Sequence, residues 1–204
     1  MESTSAHHRI ALSVVNLVGG HKPRRLVLGF MIAGALLSMW ISNTASILML
    51  MPVALAVLAT CSDRNSLAAP LLLGLAWSCS IGGLGTPIGT PPNLILVQVY
   101  EENTAQTISF GQWMSWGMPV VLTLLPLAWW WVTRAVPREL DIQVPAVGPW
   151  RSAERRVLVV FGLTAVAWIT RAEPFGGWQR WLDLPAANDA SVALLAVVAL
   201  FVVR

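Results

Sequence analysis

Two short stretches of this chain hold residues whose types and spacing can do chemistry. The first is Ser42-Asn43-Thr44, a polar triplet in the middle of residues 26–62, which carry no charge. The second is the run from Gly82 to Asn93, with four glycines and three prolines, in the middle of residues 65–100, which are equally uncharged. Proline lacks the N–H a helix needs, and glycine is a poor helix former, so a helix cannot continue through the second stretch. A broken helix exposes two new ends. Its amino end offers free N–H groups and a positive dipole, and its carboxyl end offers bare carbonyls. In secondary carriers the amino ends face anions, and the carbonyl ends and unwound backbone hold the coupling cation. Thr90-Pro91-Pro92 has the form of a helix start, with Thr90 as N-cap and Pro91 at the first helical position. Ser42 or Asn43 can cap a second helix in the same way, so two amino ends can converge on one anion. The carbonyls around residues 38–42 and 85–89 can serve a hard cation such as sodium. Ser38 stands four residues before Ser42 and so shares its helical face.

What these stretches lack narrows the chemistry. They contain no Asp, Glu, Lys, Arg or His, so a proton relay through them is not expected. Anion recognition would rest on neutral dipoles, with bound cations offsetting the charge. The glycine-rich run has no Gly-Lys-Ser/Thr and no Gly-x-Gly-x-x-Gly, so it is not a phosphate loop. Cys61 and Cys79 form no disulfide or metal motif, and the adjacent His7 and His8 read as solvated residues near the terminus. No nucleophile–base pair or carboxylate pair stands out, which argues against an enzyme. A lone Ser or Thr in a membrane helix usually bonds its own backbone. Two capped polar breaks in consecutive segments are a different pattern, that of a transport site.

The elements that must position these residues follow from composition. Charged residues are 11% of the chain and hydrophobic residues 56%, with mean hydropathy +0.66; soluble domains carry roughly 25% charged residues. Lipid is the expected solvent, and basic residues in short clusters beside apolar runs leave no nucleic-acid footprint. Residues 1–24 read as an interfacial amphipathic helix, with Ile10, Val14, Leu17 and Val18 on one face and Arg9, Ser13 and Asn16 opposite. Residues 26–62 as one straight helix would measure about 55 Å, against a hydrocarbon core of about 30 Å. A single crossing plus a surface helix competes with a hairpin tipped by Ser42-Asn43-Thr44. The hairpin puts Lys22, Arg24, Arg25, Arg64, Arg134, Arg138, Arg151, Arg155 and Arg156 on one side of the membrane and only Arg171 and Arg180 on the other. That asymmetry fits the positive-inside rule and selects a hairpin entered from the cytoplasm. The expected order is then a re-entrant hairpin (25–62), a broken transmembrane helix (65–100), a transmembrane helix (103–133), a cytoplasmic loop (134–156), a transmembrane helix (157–170), an external loop (171–189) and the start of a further transmembrane helix (190–204). Trp129-Trp130-Trp131 marks a membrane interface. The fold class is an all-α integral membrane protein.

Ser38-Met39-Trp40-Ile41-Ser42-Asn43-Thr44-Ala45, followed by the run from Ser80 to Asn93, resembles the divalent anion/sodium symporter family. The similarity extends through Ile108-Ser109-Phe110-Gly111-Gln112-Trp113 and from Thr170 to Trp178. The resemblance implies a multi-pass homodimer in the bacterial inner membrane, built from two inverted repeats, in which a transport domain moves like an elevator. It implies a sodium site at Ser38, Ser42, Asn43 and the Gly89 carbonyl, and substrate carboxylate contacts at Asn43, Thr44, Thr90 and Pro91. The substrates would be small divalent anions, C4-dicarboxylates or sulfate, with sodium as coupling ion and no other cofactor. A second Ser-Asn-Thr hairpin and a second broken helix, both part of the family pattern, are absent from these 204 residues. The expectation is therefore one repeat, holding one sodium site and half a substrate site, that does not transport alone. A sodium-independent exchanger fits the same helix breaks. A non-transporting membrane scaffold or subunit would need small-residue packing faces but not two capped breaks.

Overall fold

The structure, a computed structural model, describes residues 6–19, 22–137, 139–142, 152–172, 177–184 and 186–202. Among these every regular element is helical: α1 (Ala6–Val18), α2 (Pro23–Ser38), α3 (Asn43–Ala59), α4 (Arg64–Gly82), a 3-10 turn (Gly83–Gly85), α5 (Pro91–Thr104), α6 (Phe110–Thr133), α7 (Ser152–Ile169), α8 (Gly177–Trp181) and α9 (Asp189–Val202). The starts have local causes. Pro23 opens α2 in its first turn, where a missing N–H costs nothing. The Ser42 hydroxyl accepts from the Ala45 N–H at 3.3 Å, the Asp63 carboxylate from the Ser66 N–H at 3.2 Å, and the Ser109 hydroxyl from the Gln112 N–H at 3.1 Å. These are the N-caps of α3, α4 and α6. Thr90, extended at φ −146° and ψ 143°, precedes Pro91 at the head of α5. Ala105, left-handed at φ 55°, ends α5, which runs past Tyr100 to Thr104.

The distribution of side chains is that of a membrane protein. Ser38, Ser46, Ser78, Thr86 and Asn93 are buried, while Leu122, Trp130, Leu194 and Phe201 point outward. Water would penalise that arrangement and lipid does not. Residues Arg64–Gly85 and α6 are each long and apolar enough to cross a bilayer; α3 and α9 are shorter apolar helices.

Helix α2 is the hub. It packs on α1, α3, α4 and α6, and α4 in turn packs on α3 and α6. The core between them includes Phe30, Met31, Leu50, Leu71 and Leu75. One close approach sets the α2–α4 geometry: a Cβ at Gly82 would fall 2.4 Å from the Ala35 carbonyl oxygen. Helices α7 and α9 pack on each other. They meet the rest through near-parallel rings of Trp40, Phe110 and Trp168, with centroids 5.7–6.3 Å apart, and through an ion pair at 3.0 Å between Arg9 and the buried Glu154.

Two local features go beyond the sequence periodicity. Among the described side chains of α1, Val15 is buried and Leu17 is 87% exposed. The reason lies opposite, at Gly29, where a Cβ would come 2.7 Å from the Val15 Cα, so α1 settles Val15 onto the bare backbone of α2. The segment read as an external loop contains the short helix α8, which Gly177 enters at φ +58°. Much of the segment read as a cytoplasmic loop, residues 143–151, lies outside the described residues.

Candidate functional site

The last turn of α2 ends at Ser38, and the N–H groups of Met39, Trp40 and Ile41 still donate back to Ala35 and Leu37. The chain then turns and restarts as α3. This places the fully buried Ser38 hydroxyl 2.5 Å from Asn43 Oδ1 and 2.6 Å from the Cys79 carbonyl oxygen, near the end of α4. Three oxygens from three helices thus converge. The next element, the turn at Gly83, comes so close that a Cβ there would lie 2.6 Å from Asn43 Oδ1. Only glycine leaves room for the Asn43 amide in this pose.

The break between α4 and α5 is held by side chains that satisfy its freed carbonyls. The buried Asn93 donates through Nδ2 to the Gly83 carbonyl at 2.8 Å and the Thr86 carbonyl at 2.9 Å. Trp113 Nε1 donates to the Leu84 carbonyl at 3.0 Å. The Thr86 hydroxyl donates to the Met39 carbonyl, a second tie between the break and the α2–α3 link. Gly89 is buried, and a Cβ on it would fall 2.5 Å from the Gly83 carbonyl oxygen. Gly83 is therefore the pivot, with Asn43 against one side and Gly89 against the other.

The structure brings some of the sequence-derived residues together and leaves others apart. Ser38 and Asn43 touch, and Gly89 joins them through Gly83. Ser42 is exposed, its hydroxyl engaged in the α3 cap. Thr44 and Pro91 are exposed at the amino ends of α3 and α5; Thr90 is half-buried, and its side chain makes no cap hydrogen bond. The amino end of α3 lies beside Gly83, within the same break whose far side opens α5.

Sequence reasoning missed Cys79, Thr86, Asn93 and Ser46. Asn93 and Thr86 lay inside the recognised motif and carried no assigned role. The Cys79 contact is made by a backbone carbonyl, which no residue type announces. Ser46, one turn into α3, has a fully buried hydroxyl with no hydrogen-bond partner among the described residues. Such an atom costs roughly 1–3 kcal/mol.

The arrangement is neutral and rich in oxygen, beside two helix amino ends. It can bind ions and has no group for bond making or breaking. The sequence matches the citrate transporter family over residues 1–203. Over its whole length it is 32% identical to the sodium-dependent dicarboxylate transporter SdcS of Staphylococcus saprophyticus and 30% identical to the SdcS proteins of Staphylococcus aureus strains MW2 and COL. It spans 42% of the length of each of these relatives.

Proposed function

The chain belongs to the citrate transporter family, and on that premise we propose that it forms the first inverted repeat of the transport core of a sodium-coupled C4-dicarboxylate carrier in the bacterial inner membrane. The family and the relatives are transporters rather than enzymes. The observation that carries the reading is the convergence of Ser38 Oγ, Asn43 Oδ1 and the Cys79 carbonyl beside the Gly83–Gly89 backbone. Sodium takes the Ser38 hydroxyl, the Asn43 amide oxygen and the Gly89 carbonyl, and Ser42 turns from its cap to complete the set. The substrate carboxylate faces Asn43, Thr44, Thr90 and Pro91 at the amino ends of α3 and α5.

Charge arithmetic supports the coupling. Each helix amino end is equivalent to about half a positive charge. Two of them fall short of a dianion, and bound sodium supplies the remainder. Arm length supports re-entry: α2 has 16 residues, so it rises about 24 Å and falls short of a hydrocarbon core of about 30 Å. On this reading the two arms enter and leave by the same face. This repeat moves with its counterpart in an elevator-like shift within a homodimer.

The test is labelled succinate uptake into proteoliposomes containing the gene product at its full length, with an inward sodium gradient against a potassium control. Sodium-dependent uptake is expected from that protein and none from the 204-residue chain alone. Uptake that ignores sodium but requires internal anion would replace the symporter with an exchanger. Uptake of sulfate but not succinate would change the substrate. No uptake of either would leave the scaffold.

A further inference from the structure

Helices α4 and α6 line an open apolar groove of about 440 Å³ whose walls include Trp77, Ile81, Leu124, Leu127, Trp130 and Trp131. It ends on a guanidinium: Arg134 lies 3.8 Å over the Trp131 ring. Arg24 stands beside it, donating to the Arg134 and Val136 carbonyls at 3.3 Å each. The exposed Arg25 follows on the same turn of α2. The described ion pairs are Arg9–Glu154 and Arg171–Asp189, so none of these three arginines has a carboxylate partner among the described residues.

Charge complementarity and shape name one occupant. We propose that an anionic phospholipid of the surrounding bilayer seats here, one acyl chain in the α4–α6 groove and its phosphate on Arg134, with Arg24 adding to the field. The forked donors of a guanidinium match a phosphate diester. The stack on Trp131 spends only one face of Arg134 and leaves its N–H edges free for the headgroup. Indoles at this end set the groove at headgroup depth. Basic pockets beside membrane helices on the cytoplasmic side attract anionic headgroups, and this is the side to which the charge asymmetry assigns Arg24 and Arg134.

The experiment reads thermal unfolding of the full-length gene product, stripped of lipid in detergent, on titration with phosphatidylglycerol or with phosphatidylcholine of the same acyl chains. The readout is independent of transport, so it stands or falls separately from the carrier reading. Phosphatidylglycerol is expected to raise the midpoint by several degrees and phosphatidylcholine by much less. Arg134→Gln should lose most of that shift, Arg134→Lys should keep part of it, and Leu127→Trp, which fills the groove, should abolish it. Equal shifts with the two lipids, an unchanged response in Arg134→Gln or Leu127→Trp, or no response in the parent protein would each overturn the proposal.

Discussion

The Ser38 hydroxyl has two acceptors and one proton: Asn43 Oδ1 at 2.5 Å and the Cys79 carbonyl at 2.6 Å. It can donate to only one of them at a time. The other contact sets lone pairs against lone pairs, an arrangement a cation relieves. In the proposed sodium-bound state the proton would point to Cys79, and the free lone pairs of Ser38 and Asn43 would face the ion. Ser38→Ala removes both the ligand and its orientation. Its half-saturating sodium concentration for uptake should rise on the order of tenfold, about 1.4 kcal/mol, while Ser38→Thr keeps the hydroxyl and most of the affinity. An unaltered sodium titration in Ser38→Ala would remove Ser38 from the site.

Asn43 is assigned to both sodium and substrate, and Gly83 shapes its pose. Asn43→Ala should therefore weaken sodium and dicarboxylate binding together. Gly83→Ala should do the same without touching a ligand, because its Cβ would stand 2.6 Å from Asn43 Oδ1 and push the amide away. Sodium and succinate titrations of uptake check both variants. Normal sodium dependence in Asn43→Ala would discard the assignment, and a normal Gly83→Ala would place the amide elsewhere.

The local elements of this site are legible in the sequence, and its contacts are not. Thr90-Pro91-Pro92 announces a helix start because the fixed φ of proline is a local property, and α5 begins at Pro91, although the expected Thr90 cap hydrogen bond is not made. The glycines and prolines from Gly82 to Asn93 forbid a continuous helix for equally local reasons, and α4 ends at Gly82. Which carbonyl meets Ser38 depends on how α2 crosses α4, and that depends on Gly82 lying against Ala35, a pairing no periodicity contains. Glu154 falls in the segment read as a cytoplasmic loop, yet it is buried against Arg9, a pairing across 145 residues that no local pattern contains.

The Gly82–Ala35 approach can be tested directly. Alanine is about 1 kcal/mol better than glycine in an ordinary helix. At Gly82 its Cβ would meet the Ala35 carbonyl oxygen at 2.4 Å, backbone that cannot step aside. Gly82→Ala should therefore destabilise by about 1–3 kcal/mol, the usual cost of overpacking, and lower the thermal midpoint. A raised midpoint would mean that α2 and α4 do not cross here.

Asp63 gives α4 a pH-sensitive start. Hydrogen bonds from the Ser66 hydroxyl, and then from the Ser66 N–H, hold its carboxyl below the ordinary value of 3.8. A depressed pKa in the folded state means that the cap contributes fully above 3.8 and is lost as pH falls through the lower folded value. Asp63→Ala should have a lower thermal midpoint than the parent at neutral pH, and the two should converge in strong acid. A constant gap across that range would show that the charge is not what the cap uses.

Ser46 is the one buried side-chain polar atom without a hydrogen-bond partner among the described residues. It lies three residues after Asn43 and so on the same face of α3, between the polar cluster and the buried Leu50. If its hydroxyl stays unpaired, Ser46→Ala removes the desolvation cost and keeps the shape. The thermal midpoint should hold or rise, by up to about 1–3 kcal/mol of stability. A fall of more than about 1 kcal/mol would show that the hydroxyl has a partner in the full-length gene product. A sodium titration of the same variant separates the two places that partner can be. Weakened sodium affinity would put it in the ion site, and unchanged affinity would put it in the packing of α3.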